Sequence, residues 1–162
     1  MTFDAAHLVR ARKIVAAYPR AKSAILPLAH LAQDQDGWLS DEAMREIAEL
    51  VGVAPAQVLA TCSFYTMFKR QPIGKLVVSV CTNVTCLVTG GPEVLEHLRA
   101  RYATDDDVFV EEVECLAACG GSPALQVNYE FHEHTSPGAA EEIVEEYKRG
   151  DRKARTVSGS IR

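Results

Sequence analysis

Residues 75–86, KLVVSVCTNVTC, and residues 108–119, VFVEEVECLAAC, decide how this chain is read. Each is a β-branched run that ends on a cysteine, with a second cysteine a few residues on: Cys81 and Cys86, then Cys115 and Cys119. A strand end holds its side chains rigidly, so two such ends can carry four sulfurs to one place. The spacing is C-x4-C, a long gap, then C-x3-C, and glycines follow each pair (Gly90 and Gly91; Gly120 and Gly121). Clustered thiols in a chain with no secretory signal point to metal ligands or redox groups rather than to structural disulfides.

Outward from these stretches the pattern is that of a small α/β unit. A strand over 75–81 leads into the first cysteine loop and then a helix from Pro92 to Tyr102. A strand over 108–114 leads into the second loop. Short strands near 124–128 and 130–133 form a hairpin, and a last helix runs from Ser136-Pro137 to Gly150. The order βαβ then ββα is that of the thioredoxin fold, with helices expected on both faces of the sheet. Upstream the period is helical. Asp4 caps a first helix carrying Leu8, Ala11, Val15 and Tyr18 and stopped by Pro19. A second carries Ile25, Leu26, Ala29 and Ala32, with Pro27 in its first turn and Gly37 at its end. Ser40 caps a third ahead of Asp41 and Glu42, and Pro55 opens a fourth. QPIG (Gln71 to Gly74) is the expected boundary. The predicted architecture is therefore α+β: a helical bundle over 1–72, an α/β domain over 73–150, and a basic extended tail over 151–162.

Bulk properties narrow the function. At 162 residues, 48% apolar and 24% charged, the composition is globular. A net charge of -5 argues against nucleic acid as partner. No apolar run reaches the length of a bilayer span, so direct membrane insertion is not expected. The opening MTFDAAHLVR has neither a secretory h-region nor a transit-peptide composition, and the expected location is the cytoplasm. No G-x-G-x-x-G or Walker A loop follows either strand, so no nucleotide site is expected on this chain.

Spacing alone does not separate iron from zinc. Four thiolates suit a structural zinc, and they equally suit a [2Fe–2S] rhomb with two thiolates on each iron. Either centre is a dianion that needs backbone N–H groups, helix N-termini and close main chain around it. The helix at Pro92 and the glycines after each pair are the places expected to supply these. Glu111, Glu112 and Glu114 precede Cys115; near a cluster they would disfavour an added electron. A thiol oxidoreductase is the weaker alternative, because neither pair is C-x-x-C.

Four segments together resemble a known family: CTNVTC (Cys81 to Cys86), CLAACGGSP (Cys115 to Pro123), ATCSFYTMF (Ala60 to Phe68) and LAQDQDGWLS (Leu31 to Ser40). They are similar, in order and over most of the chain, to the 24-kDa (E-type) family of respiratory complex I subunits, thioredoxin-like [2Fe–2S] ferredoxins with an N-terminal helical bundle. The resemblance implies one [2Fe–2S] cluster on Cys81, Cys86, Cys115 and Cys119, and favours iron over zinc. It implies a one-electron carrier beside a flavoprotein of the 51-kDa type, which holds FMN and NADH. The assembly would be the NADH dehydrogenase module of NADH:quinone oxidoreductase, in its peripheral arm on the inner face of the cell membrane. Diaphorase subunits of NAD-linked hydrogenases and formate dehydrogenases share the pattern and stay open, as does a zinc-stapled assembly module. Ala124 departs from the family, which more often has a bulkier apolar residue there.

The remaining residues are read as structural. Cys62 is expected to be a buried small hydrophobe, and Phe64, Tyr65, Met67 and Phe68 mostly core with some interface contact. Trp38 is read as packing, His30 as a satisfied core histidine, and His132 and His134 as solvated positions on an edge hairpin. Glu141, Glu142, Glu145 and Glu146 are read as the wet face of the last helix.

Overall fold

The structure, a computed structural model, describes residues 3–153, so most of the expected basic tail lies outside the described residues. The described chain divides into two compact units between Pro72 and Ile73.

The first unit is helical. The Asp4 side chain accepts from the His7 N–H at 2.8 Å and starts α1 (Ala5–Ala16). The helix stops before Pro19, so Tyr18 lies beyond it and is exposed. A 3-10 turn, Ala21–Ala24, feeds α2 (Ile25–Asp36), where Pro27 is tolerated in the first turn because its missing N–H has no helical partner. Gly37, at φ +78°, closes α2 with its N–H on the Gln33 carbonyl. Ser40 Oγ accepts from the Ala43 N–H at 3.1 Å and starts α3 (Asp41–Val51). Pro55 opens α4 (Pro55–Phe64). Leu28, Leu31, Leu39, Ile47 and Val58 are fully buried and form the centre of this unit's core. Gln33 clasps the segment after α4, donating to the Met67 carbonyl and accepting from the Lys69 N–H.

Two polar groups sit uneasily in that core. His30 packs against Phe68 with the rings tilted and their centroids 4.8 Å apart, and its Nδ1 has no hydrogen-bond partner among the described residues. The expectation of a satisfied histidine is thus corrected: burial lowers its pKa instead. Asp34 Oδ2 is likewise without a partner, and burial pushes its carboxyl up to about 6 against the opposing charges of Arg10 and His7.

The second unit is a four-stranded sheet in the order β2-β1-β3-β4. Strand β1 (Leu76–Cys81) runs parallel to β2 (Val108–Val113) and antiparallel to β3 (Leu125–Val127), which pairs with β4 (Glu130–His132). Asn128 and Tyr129, at φ +45° and +69°, make the β3–β4 turn. The Asn128 side chain continues the ladder, accepting from the Val77 N–H and donating to the Lys75 carbonyl. Between β1 and β2 lie two helices, α5 (Val84–Thr89) and α6 (Gly91–Arg101), and after β4 comes α7 (Pro137–Arg149).

Helices α6 and α7 pack against each other on one face of the sheet, correcting the expected placement on both faces. The reason is the pleat. Val78, Val80, Leu125 and Val127 make an apolar centre on one face, which Val94, Leu98, Ala140 and Val144 cover. The alternate positions include Ser79, Glu111 and Gln126, a poor floor for a helix. The glutamates of α7 are more than a wet face. Glu141 binds His97 at 2.7 Å and Arg101 at 2.8 Å, and Glu145 accepts from Tyr102 Oη at 3.0 Å. Arg101 and His97 together hold the Glu141 carboxyl below its usual range. Among the described residues no single helix is long and apolar enough to cross a membrane.

Candidate metal centre

Parallel strands end at the same edge of a sheet, and this brings the two cysteine loops together. The register sets Cys81, the last residue of β1, opposite Val113, the last of β2, and Cys115 follows two residues later. The Cys81 N–H donates to the Ala124 carbonyl at 3.1 Å, so the chain entering β3 closes the same edge. The first loop is a helix rather than open coil. Asn83 caps α5, its side chain accepting from the Val84 N–H, and α5 carries Cys86 back toward Cys81. Gly90 turns the chain at φ +106°, and Gly91 starts α6. A Cβ on Gly91 would stand 2.6 Å from the Cys81 carbonyl oxygen and 2.8 Å from that of Cys86, so only glycine lets α6 begin there.

The expectation that the later glycines do the same is not met. Gly120 faces open space, and Gly121 faces the Glu133 side chain.

The two pairs differ in exposure. Cys81 and Cys86 are 3% and 2% exposed and pack with Ala124, Leu116 and Ala118. Cys115 and Cys119 are exposed, with sulfurs 3.8 Å apart. Burial pushes the Cys86 thiol up, opposed by a backbone hydrogen bond from Ala124 and reinforced by Cys81 and by Cys119. Ala117 donates its N–H to Cys115 Sγ at 3.3 Å and sits at φ +60°, a left-handed conformation that costs an alanine about 1 kcal/mol or more. Backbone N–H groups aimed at sulfur favour its anionic form.

The roles of Ala117 and Ala124 were not visible in the sequence. Ala124 is 1% exposed, and its N–H and carbonyl engage Cys86 and Cys81 respectively. Its place after CLAACGGSP was the available signal: a small residue where a larger one would press on both buried sulfurs.

The other candidates separate cleanly. Glu111 accepts from Ser79 Oγ at 2.8 Å and Glu112 from Thr82 Oγ1 at 2.6 Å, next to Cys81. Glu114 is exposed. Cys62 is fully buried in the helical unit, its thiol pushed up to about 11 by burial. Phe68 is core, whereas Phe64 is 79% exposed. His132 Nε2 lies 3.1 Å from Tyr147 Oη, while His134 falls outside β4 at φ +53°, so the two histidines do not form a pair on one strand. As placed, no three His, Cys, Asp or Glu side chains among the described residues surround a single ion.

Comparison with known proteins bears on this arrangement. The model of the thioredoxin-like [2Fe–2S] ferredoxin family matches residues 11–148. The E-type subunit of NADH-quinone oxidoreductase from Mycobacterium tuberculosis (strain ATCC 25618 / H37Rv) is 37% identical over 155 residues, covering 91% of this chain and 62% of that protein. The protein of the same name from Rickettsia prowazekii is 34% identical over 155 residues, covering 90% of this chain and 88% of its own length. The chain thus spans about three fifths of the mycobacterial relatives it matches. Among solved structures, an NAD+-reducing [NiFe]-hydrogenase in its H2-reduced state superposes with a TM-score of 0.67 at 21% identity. That match covers 77% of this chain and 22% of the hydrogenase chain, and it is a likeness of fold. With a family match that begins inside α1 and runs to the end of α7, this chain belongs to the thioredoxin-like [2Fe–2S] ferredoxins.

Proposed function

We propose that Cys81, Cys86, Cys115 and Cys119 hold one [2Fe–2S] cluster. On this reading the chain is the electron-transfer subunit of the NADH dehydrogenase module of an NADH:quinone oxidoreductase. The observation that carries the proposal is the meeting of two cysteine pairs at one sheet edge, with backbone N–H groups from Ala117 and Ala124 directed at their sulfurs. The donor set fits the cluster. It offers four soft thiols in two pairs, one pair in an apolar wall and one at the surface, with main-chain dipoles to offset the negative charge. A bound cluster would supply reversible one-electron transfer.

The chain's own residues do the rest. Cys81 and Cys86, with Ala124, exclude water from one side of the centre, and a drier site makes each N–H to sulfur dipole count for more. Cys115 and Cys119 open the other side to a redox partner. Hydride transfer from NADH takes two electrons and needs a flavin, and the sequence has no dinucleotide fingerprint. The NADH and FMN sites therefore belong to a partner flavoprotein, from which this chain takes one electron. The names of the relatives support the parent assembly, and the absence of a long apolar helix among the described residues suits a peripheral position on the inner face of the membrane.

The experiment is analysis of anaerobically purified chain. The expected result is red-brown protein with two irons and two acid-labile sulfides per chain and an EPR signal after dithionite. Colourless protein with one zinc and no sulfide would replace the proposal with the structural zinc reading.

A further inference from the structure

Thr135, 2% exposed, lies in the short segment between β4 and α7 and carries a deeply buried hydroxyl. It does not cap α7, because the next residue does so: Ser136 Oγ accepts from the Ala139 N–H. Both of its donors instead go to one atom. The Thr135 N–H and the Oγ1 hydroxyl reach the Pro123 carbonyl oxygen at 3.0 and 3.1 Å. The N–H alone would satisfy that carbonyl, so the hydroxyl is a second donor on an acceptor already engaged.

The peptide unit gripped in this way is the one that faces the buried sulfurs. Its oxygen belongs to Pro123 and its N–H to Ala124, and that N–H donates to Cys86. Carbonyl and N–H are conjugated through the peptide bond. Donors on the oxygen therefore draw charge from the nitrogen and strengthen its own hydrogen bond, by about 10–30% per bond. The arrangement is held from both sides. The Cys81 N–H fixes the Ala124 carbonyl at 3.1 Å, and the His134 N–H fixes the Gly121 carbonyl at 2.6 Å.

We infer that Thr135 is a positioning residue for electron transfer: its hydroxyl orients and polarises the Pro123–Ala124 peptide, so that the Ala124 N–H stabilises negative charge on Cys86 and raises the reduction potential of the centre. The inference rests on the cluster reading given under Proposed function. An added electron makes the centre more negative, and an N–H aimed at a ligand sulfur favours the more negative state. Cys86 and Ala124 are 2% and 1% exposed, so water does little to screen that dipole. Thr135 acts through Ala124, as outer partners of metal ligands do elsewhere.

The test is a redox titration followed by EPR on the anaerobically purified, cluster-loaded chain, with a thermal melt of each sample. Thr135→Val keeps the backbone N–H and the shape but removes the hydroxyl. It should shift the one-electron equilibrium about twofold toward the oxidised form, a fall of about 18 mV at 59 mV per tenfold. Thr135→Ser restores the hydroxyl and should return the potential to its wild-type value. A lowered melting temperature with an unchanged potential in the valine variant would make Thr135 a packing residue and overturn the inference. A serine variant that stays at the valine potential overturns it too. Where the valine variant does not load, Thr135→Ala removes the same hydroxyl without adding a methyl group beside Pro123, and its potential is read against the same outcomes. Red-brown protein with one potential in all variants ends the inference alone. Colourless wild-type protein without labile sulfide removes the cluster reading and the inference together.

Discussion

Cys62 in the helical unit and Cys86 in the α/β unit are equally buried, at 0% and 2% exposure, yet their surroundings differ in kind. Cys62 lies among apolar side chains, and burial alone pushes its thiol up to about 11. Cys86 is also raised by burial, but it has a backbone donor in Ala124 and two further thiols, Cys81 and Cys119, in electrical contact. Burial alone makes a cysteine inert, whereas burial beside sibling thiols and backbone N–H groups is what the proposed ligand role of Cys86 requires.

The largest effect that would break this contrast is on iron content. Cys86→Ser is expected to lower iron per chain about tenfold or more, because a buried hydroxyl replaces a soft ligand. Cys62→Ala should leave iron content unchanged. Equal losses in the two variants, measured by metal analysis, would erase the distinction.

Reactivity in the metal-free chain comes next. Iodoacetamide should modify Cys115 and Cys119 roughly tenfold or more faster than Cys62, because they are exposed while Cys62 is buried with its thiol pushed up to about 11. Peptide mapping after timed quenching reads the order. Modification of Cys62 at a comparable rate would show that the helical core opens.

Packing around the buried pair gives a third test. Ala124→Leu forces a branched side chain between Cys81 and Cys86 and should cost about 1–3 kcal/mol of stability by overpacking. It should also broaden the cluster's EPR signal. Normal stability and an unchanged signal would mean that the wall of the centre is loose.

The smallest effect belongs to the helical unit's own misplaced charge. The Asp34 carboxyl is raised to about 6 from an ordinary 3.8, so its ionised form is disfavoured in the folded chain. The resulting destabilisation is full above about pH 6 and fades as pH falls toward the unfolded value. Asp34→Asn should therefore stabilise the chain at pH 7 by about 1 kcal/mol, after discounting for partial exposure. The gain should vanish near pH 4. A gain independent of pH, in thermal melts, would assign the effect to something other than this carboxylate.

Much of the helical unit was legible because its signals are local. Asp4, Ser40, Gly37 and Pro55 each act on the turn they adjoin, and each is found at the end or start it marks. The strands were legible from β-branched runs, with the ends of β1 and β2 shorter by one residue than expected. What escaped reading was less local. VTCLVT looks like a loop because it is six residues long and hydrophobic on every side but one; Asn83 and the wall behind Cys86 make it α5. Glu141 and Glu145 resemble any solvated helix face until α6 brings His97, Arg101 and Tyr102 to them.

By itself the sequence determined where chain direction changes and which side chains carry chemistry. It placed the caps, the β-branched runs and the four cysteines at the ends of two of those runs, since each depends on neighbours within a turn or a strand. Only the tertiary structure decided that one cysteine pair lies buried and the other exposed, that both long helices of the α/β unit share a face, and that Ala117 and Ala124 point their N–H groups at sulfur. Those outcomes depend on residues far apart in the chain meeting at one sheet edge, and burial and electrostatics are set by that meeting.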